Sequence, residues 1–354
     1  MCFLFSGAIS VYIKRTWSLE NKDIYTKLNE IVTCILCAFI GVLYHYFVLK
    51  FGDSFPGNAY SSLRLELALV GATGILSVML IMGIWAISHK FTTLKHPELL
   101  EGENNYELFC ERFMKNYRPS IKRKITHLLP LGVVASIVVI FYFLSLNPIY
   151  KMENIWRNFS LFFVVVIGID FAYTFLLGDL IRLLDYSYMP RVVGKLFAIG
   201  LNPEELDTFS STSIMVFGFA PFLLLQFPLF FIILLVTSVA DGMASIFGLL
   251  AEKKGKKHRF PKKGHKSIEG YIGGSLFAFL STIFGGFFSN LFGFSDPSIW
   301  TIHLFLSLGL ILAIVIFIID VITSNKINIC DNYLNPLACG IAAMAFLTII
   351  GVSF

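Results

Sequence analysis

The sequence predicts an all-α fold, a polytopic transmembrane helical bundle of about nine spans with a cytosolic amino terminus, and three observations predict it. Of 354 residues, 56% are hydrophobic and 14% are charged, where a soluble domain of ordinary composition is about a quarter charged. The apolar residues fall in long runs, each near the roughly 20 residues with which a helix crosses a bilayer core. Counting nine spans, all of the 28 Lys and Arg except Lys50, Arg64, Lys151 and Arg157 lie on one side.

In chain order the predicted spans are 31–49, 67–88, 128–146, 158–178, 213–226, 228–250, 268–292, 299–322 and 334–352. The block 213–250 carries Pro221 and Pro228, and proline breaks or kinks a helix, so it reads as one tilted span or as two with a short first member. Charge decides between them. A single span would put the basic loop 251–267 opposite the basic loop 89–127, whereas two spans put both on the rich side. That side is assigned to the cytosol. The net charge of +5 then follows from topology and calls for no nucleic-acid partner.

The first 13 residues are apolar but lack a basic leader and are too short to span, so no cleaved signal peptide is read there. The six Cys form no disulfide framework, and Cys34-x-x-Cys37 inside an apolar run reads as small buried thiols. The longest polar segment, 89–127, places Glu98, Glu101, Glu103, Glu107 and Glu111 before Lys122-Arg123-Lys124. Its middle reads as an amphipathic surface helix whose basic end faces anionic lipid. No repeat of solenoid period is visible.

Chemistry concentrates between Ser238 and Gly270. Asp241 comes late in a span that is otherwise apolar from Phe230 to Val239, and an ionised carboxylate at that depth is costly unless paired, metal-bound or hydrated. Two readings stand: a functional carboxylate, or a helix-end Asp satisfied at the interface. The loop that follows holds eight Lys and Arg from Lys253 to Lys266, most of them accounted for by the positive-inside rule. Gly255 and Gly264 free its backbone and Pro261 stiffens it. Ser267-Ile-Glu269-Gly270 then resembles a helix start, with a capping hydroxyl and an acid in the first turn. Amides at such a start, beside Lys266, suit phosphate oxygens, and Asp241 or Glu269 facing them would hold Mg²⁺. No Walker pattern is present. Gly273 and Gly274 read as close helix packing.

At these residues the chain resembles the CTP-dependent lipid kinases, the family of dolichol kinase, phytol kinase and CTP-dependent diacylglycerol kinase. The shared pattern is an Asp followed by small residues, a Gly-Lys basic loop, then Lys-Ser/Thr-x-Glu-Gly. Here it is Asp241, Ala244, Gly248, Gly255-Lys256 and Lys266-Ser267-Ile-Glu269-Gly270. Phosphatidate cytidylyltransferases share that half of the pattern. Three further matches are similar to the kinase branch: Arg123-Lys124-Ile-Thr-His127; Asp179-Leu-Ile-Arg182 with Glu205 and Gly218 downstream; and Asp331-Asn332-Tyr-Leu-Asn-Pro336. The His-Gly-Gly-x-x-Asp-Arg signature of the cytidylyltransferases is not found in the sequence. The resemblance divides the chain into an amino-terminal extension, 1–120, and a kinase-like catalytic membrane domain, 121–354.

The resemblance implies transfer of the γ-phosphoryl of CTP to the hydroxyl of a lipid alcohol, such as a polyprenol, a phytol-like isoprenol or diacylglycerol. Lys256, Lys266, Gly248, Gly255, Ser267 and Gly270, with Arg123 and Lys124, would line the nucleotide site. Asp241, Glu269 and Asp331 would hold Mg²⁺, and one of these carboxylates, or His127, would accept the hydroxyl proton. Arg123 and Arg182 read either as phosphate clamps or as interfacial anchors. The expected location is the endoplasmic reticulum membrane of a eukaryote or the cell membrane of a prokaryote, with the active face cytosolic. Two alternatives are a phosphatidate cytidylyltransferase and an ion-coupled transporter with Asp241 in a midplane site.

Overall fold

The computed structural model describes residues 2–17, 22–53, 60–99, 105–116, 121–150, 155–201, 203–255, 258–260, 266–324 and 330–352. Its α-helices are α1 (Cys2–Thr16), α2 (Ile24–Asp53), α3 (Tyr60–Lys95), α4 (Tyr106–Asn116), α5 (Ile121–Ser145), α6 (Trp156–Leu184), α7 (Arg191–Gly200), α8 (Ser211–Phe219), α9 (Phe227–Leu235), α10 (Asp241–Lys253), α11 (Ile268–Leu291), α12 (Ile302–Thr323) and α13 (Asp331–Ile349). Among the described residues there is no strand, only an isolated antiparallel bridge between Arg259 and Ser267. Eight helical segments among the described residues are long and apolar enough to cross a membrane, so the chain is an all-α, polytopic integral membrane protein.

The predicted fifth span is the short one. Apolar residues Ile214–Leu224 run through α8 into a 3₁₀ turn, Ala220–Leu224. Nine α and five 3₁₀ residues reach only about 24 Å, short of the ~30 Å hydrocarbon core. Pro221 and Pro228 start helices here. Each sits in the first turn of its element, where a missing N–H costs nothing, and Gln226 between them is extended (φ −147°, ψ 143°).

The chain divides into two compact units, drawn along a different line from a cut at residue 120. The first comprises Met1–Thr126 and Asn158–Ile214, the second His127–Arg157 and Met215–Phe354. In the first, α1 packs on α2, and α2 on α3. The amphipathic helix expected within 89–127 exists as α4, and its apolar face is taken by protein. Phe113 joins a core cluster with Tyr186, Met189, Val193 and Phe197, and Tyr106 and Phe109 stack on its edge.

The second unit is built around one continuous segment, α9 through α10. All nine residues of α9 are buried, and the segment packs on both α11 and α13. Glycines let α11 come close to its neighbours. A Cβ at Gly274 would lie 3.1 Å from Ala244 Cβ and 3.4 Å from Asp320 Oδ2. At one end of this unit, rings from α5, the first residue of α6 and the turn after α11 pack edge to face, with Tyr142 5.1 Å from Phe292 and Trp156 5.5 Å from Phe294.

Candidate functional site: an acid-ringed lysine at the start of α11

Asp241 owes its position to a break in helical register. Between α9 and α10 the backbone forms a π turn, Val236–Ala240, with one residue more per turn than the α-helix around it. A π turn is uncommon and breaks the angular register between α9 and α10. Here it lies inside the most enclosed span of the chain and ends at Asp241, which opens α10 half-buried. In the same turn Ser238 is fully buried and its Oγ lacks a hydrogen-bond partner, as does Asn335 Oδ1 on the neighbouring α13.

Lys266 stands two residues before α11. Its Nζ is 2.5 Å from Asp320 Oδ1 and 3.2 Å from Asp331 Oδ2, and its backbone N–H donates to Ser324 Oγ at 3.3 Å. Asp320 lies in the last turn of α12 and is 4% exposed, so the ammonium enters a nearly dry acid pocket from the α11 side. Burial alone would pull the Lys266 ammonium down. The charges of Asp331, Asp320 and Asp241 outweigh it and hold the group above its ordinary range. Lys266 is therefore a fixed cation, and α10, α11, α12 and α13 each bring one member of the cluster to its place.

Residues 258–260, before Lys266, fold back on the start of α11. Ile268 N–H donates to His258 O at 2.9 Å, and Tyr271 Oη to Phe260 O at 2.5 Å. Glu269 accepts from His258 N at 3.3 Å and lies 2.6 Å from His258 Nδ1, so it splints the loop and is turned to His258. Ser267 is the N-cap, as the sequence predicts, and its Oγ accepts from Gly270 N–H at 3.2 Å. Of the first three amides of α11, those of Ile268 and Gly270 are thus already engaged. That narrows the amide cradle expected for phosphate.

The remaining sequence candidates fall in different places. Gly255 has φ +63° and closes α10, its N–H donating to Glu252 O at 3.0 Å, so it serves as a helix stop. Gly248 and Gly270 sit at the α10–α11 contact, where a Cβ would meet Ser267 Oγ at 3.4 Å and Ala244 O at 3.0 Å respectively. Asn332 donates from Nδ2 to Cys330 Sγ at 3.6 Å. His127 is buried, 4% exposed, in the second unit. Lys256 lies outside the described residues, as do the side chains of Arg123 and Lys124 in the first turn of α5. Among the described residues no three of His, Cys, Asp and Glu gather closely enough to hold a metal ion by themselves.

Asp179 and Arg182 belong to the first unit and form a sealed pair, both side chains fully buried, 2.9 Å apart. Arg182 also donates to the carbonyls of Glu205 (3.0 Å), Leu206 and Thr208 (2.5 Å). Asp179 Oδ2 accepts from Ser210 N–H at 2.9 Å and Ser210 Oγ at 2.6 Å. A second buried ion pair, Lys22 with Glu30 at 2.5 Å, reaches the same loop through Thr208 Oγ1. Between them these pairs fasten residues 203–210.

Sequence reasoning passed over Asp320 and Glu30. Asp320 carried the same signal as Asp241, a lone carboxylate in an apolar run, and so did Asp170 at the middle of α6. Glu30 gave a weaker one, since it stands at the polar edge of its span. No protein-family model, no curated protein and no solved structure matches this chain.

Proposed function

We propose that this protein is a membrane kinase that transfers the γ-phosphoryl group of CTP to the hydroxyl of a lipid alcohol. The motif resemblance supplies the reaction class. The observation that carries the reading is the Lys266 ammonium, held 2.5 Å from Asp320 and 3.2 Å from Asp331 beside the half-buried Asp241. Phosphoryl transfer needs positioning and charge neutralisation more than covalent help, and a fixed cation among carboxylates provides both. Lys266 would engage the transferring phosphoryl oxygens, and Asp320 would position Lys266.

A divalent cation such as Mg²⁺, when bound, would neutralise the donor phosphates. Mg²⁺ is usually held by one or two carboxylates plus phosphate and water, so the lack of a three-ligand cluster suits it. Asp241 and Asp331 are the carboxylates we assign to it, since Glu269 is committed to His258. The unpartnered Ser238 Oγ and Asn335 Oδ1 offer a hydroxyl-bearing lipid polar contacts inside the same unit. The active face is proposed to be cytosolic, in the endoplasmic reticulum of a eukaryote or the cell membrane of a prokaryote.

The test is transfer from labelled CTP by purified protein in liposomes with Mg²⁺, polyprenol, phytol and diacylglycerol, beside an Asp241→Asn control. γ-Label entering one alcohol, and lost in the control, is the expected result and names the substrate. α-Label entering lipid when phosphatidate is supplied would instead mean a cytidylyltransferase. Transfer of neither label by folded protein would overturn both readings and leave ion transport to be measured.

A further inference from the structure

We infer that α7 is an in-plane membrane helix that docks on an anionic leaflet. Its ten residues divide into three sectors when placed at about 100° per residue. Val193, Gly194 and Phe197 point into the core cluster with Phe113, Tyr186 and Met189, and all three are buried. Val192, Leu196 and Ile199, at i, i+4 and i+7, form a second stripe that is 61%, 62% and 53% exposed. Arg191 and Lys195 form the third sector, exposed and adjoining the apolar stripe on its far side from the core.

A helix with one apolar face too many needs a second apolar medium. The chain leaves the span of α6 at Leu184 and re-enters apolar sequence at Ile214, so α7 lies between two membrane-bound segments. Three side chains on a helix about 15 Å long are far too little for a protein partner, whose stable interfaces bury about 800 Å² a side. A leaflet asks for no such area. It accepts the stripe into the acyl boundary while the basic side chains snorkel to phosphate, the arrangement of an interfacial helix. α4, the helix the sequence singles out for this role, has its apolar face covered by protein. The occupant of the α7 stripe is therefore lipid, with phosphatidylserine-like headgroups favoured over neutral ones.

The experiment introduces the photoreactive amino acid p-benzoylphenylalanine singly at Val192, Lys195, Leu196 and Ile199 in the full chain. The protein is placed in vesicles of phosphatidylcholine with a minor fraction of phosphatidylserine, and adducts are read by mass spectrometry. Lipid adducts at 192, 196 and 199, with few at 195, are expected. Phosphatidylserine should be enriched in them over its bulk fraction, by about fivefold less for each of Arg191→Gln and Lys195→Gln, equivalent to ~1 kcal/mol per basic side chain. Peptide adducts at the stripe, or none with either lipid or peptide, would overturn the inference. So would lipid adducts with no preference for phosphatidylserine. A thermal unfolding midpoint close to that of the unsubstituted protein checks that each variant is folded. None of these readouts depends on the chain being a kinase.

Discussion

Lys266 and Asp320 hold each other in place, and each should be costly to lose alone. Removing one partner of a buried pair strands the other charge. For Lys266→Met we expect a loss of roughly 2–4 kcal/mol, tempered because the Lys266 side chain is 30% exposed. Asp320→Asn should leave the fold better preserved but displace the ammonium, lowering kcat for γ-phosphoryl transfer more than it raises KM for CTP. Thermal unfolding beside steady-state kinetics checks both. Because Lys266 is held above the ordinary lysine value of about 10.4, its contribution is complete below that pH and is lost only as pH rises through its own, higher value. Between pH 6 and 10 its charge should not change. Amine-directed acylation at pH 9 should therefore modify exposed Lys195 and Lys253 and spare Lys266 until Asp320 and Asp331 are both neutralised by Asp→Asn substitution. Ser238→Ala, which removes a buried hydroxyl without changing the backbone, should raise KM for the lipid alcohol by about three- to tenfold, the worth of one hydrogen bond, while leaving KM for CTP alone.

The π turn and the loop staples act at the scale of elements. The π turn already absorbs one residue beyond α-helix, so a second, an Ala inserted after Val239, would swing α10, with Asp241, by about 100° relative to α9. We expect such a protein to keep its helicity in circular dichroism and to lose transfer activity. Arg182→Met makes the contrast. It strands Asp179 in a dry site and frees the carbonyls of Glu205, Leu206 and Thr208, so we expect a loss of stability of about 3–5 kcal/mol, read as a lowered unfolding midpoint. Elements of this kind divide what the sequence can disclose. The cap at Ser267 was legible because it is a local backbone requirement carried by one residue type, whereas Gly255, read as freeing the loop and as part of the nucleotide site, is used by the structure as a helix stop. The π turn was not, because Val236-Thr-Ser-Val-Ala240 has nothing in its composition to separate it from α-helix; packing against α11 and α13 decides it. The Lys266–Asp320 contact spans 54 residues of sequence, and only the folded chain makes it.

For the molecule as a whole, hydropathy and charge were enough for the class, because the bilayer leaves helices little freedom: each apolar run must satisfy its own backbone. Assigning Asp179 and Arg182 to the candidate chemistry was a different kind of inference, resting on the motif resemblance. The structure puts them in the first unit as a fastening, while Asp241, Lys266 and Asp331 gather in the second. Residues 214–224 carry a consequence for how the protein is made. A segment of about 19 Å is a weak stop for the insertion machinery, and the span that follows it, Phe227–Lys253, is apolar enough to enter the bilayer unaided. The two would then partition as a hairpin, the strong helix pulling in the weak one. A glycosylation reporter fused after Gln226 should accordingly give mixed topology, whereas the same reporter fused after Lys253 should give one.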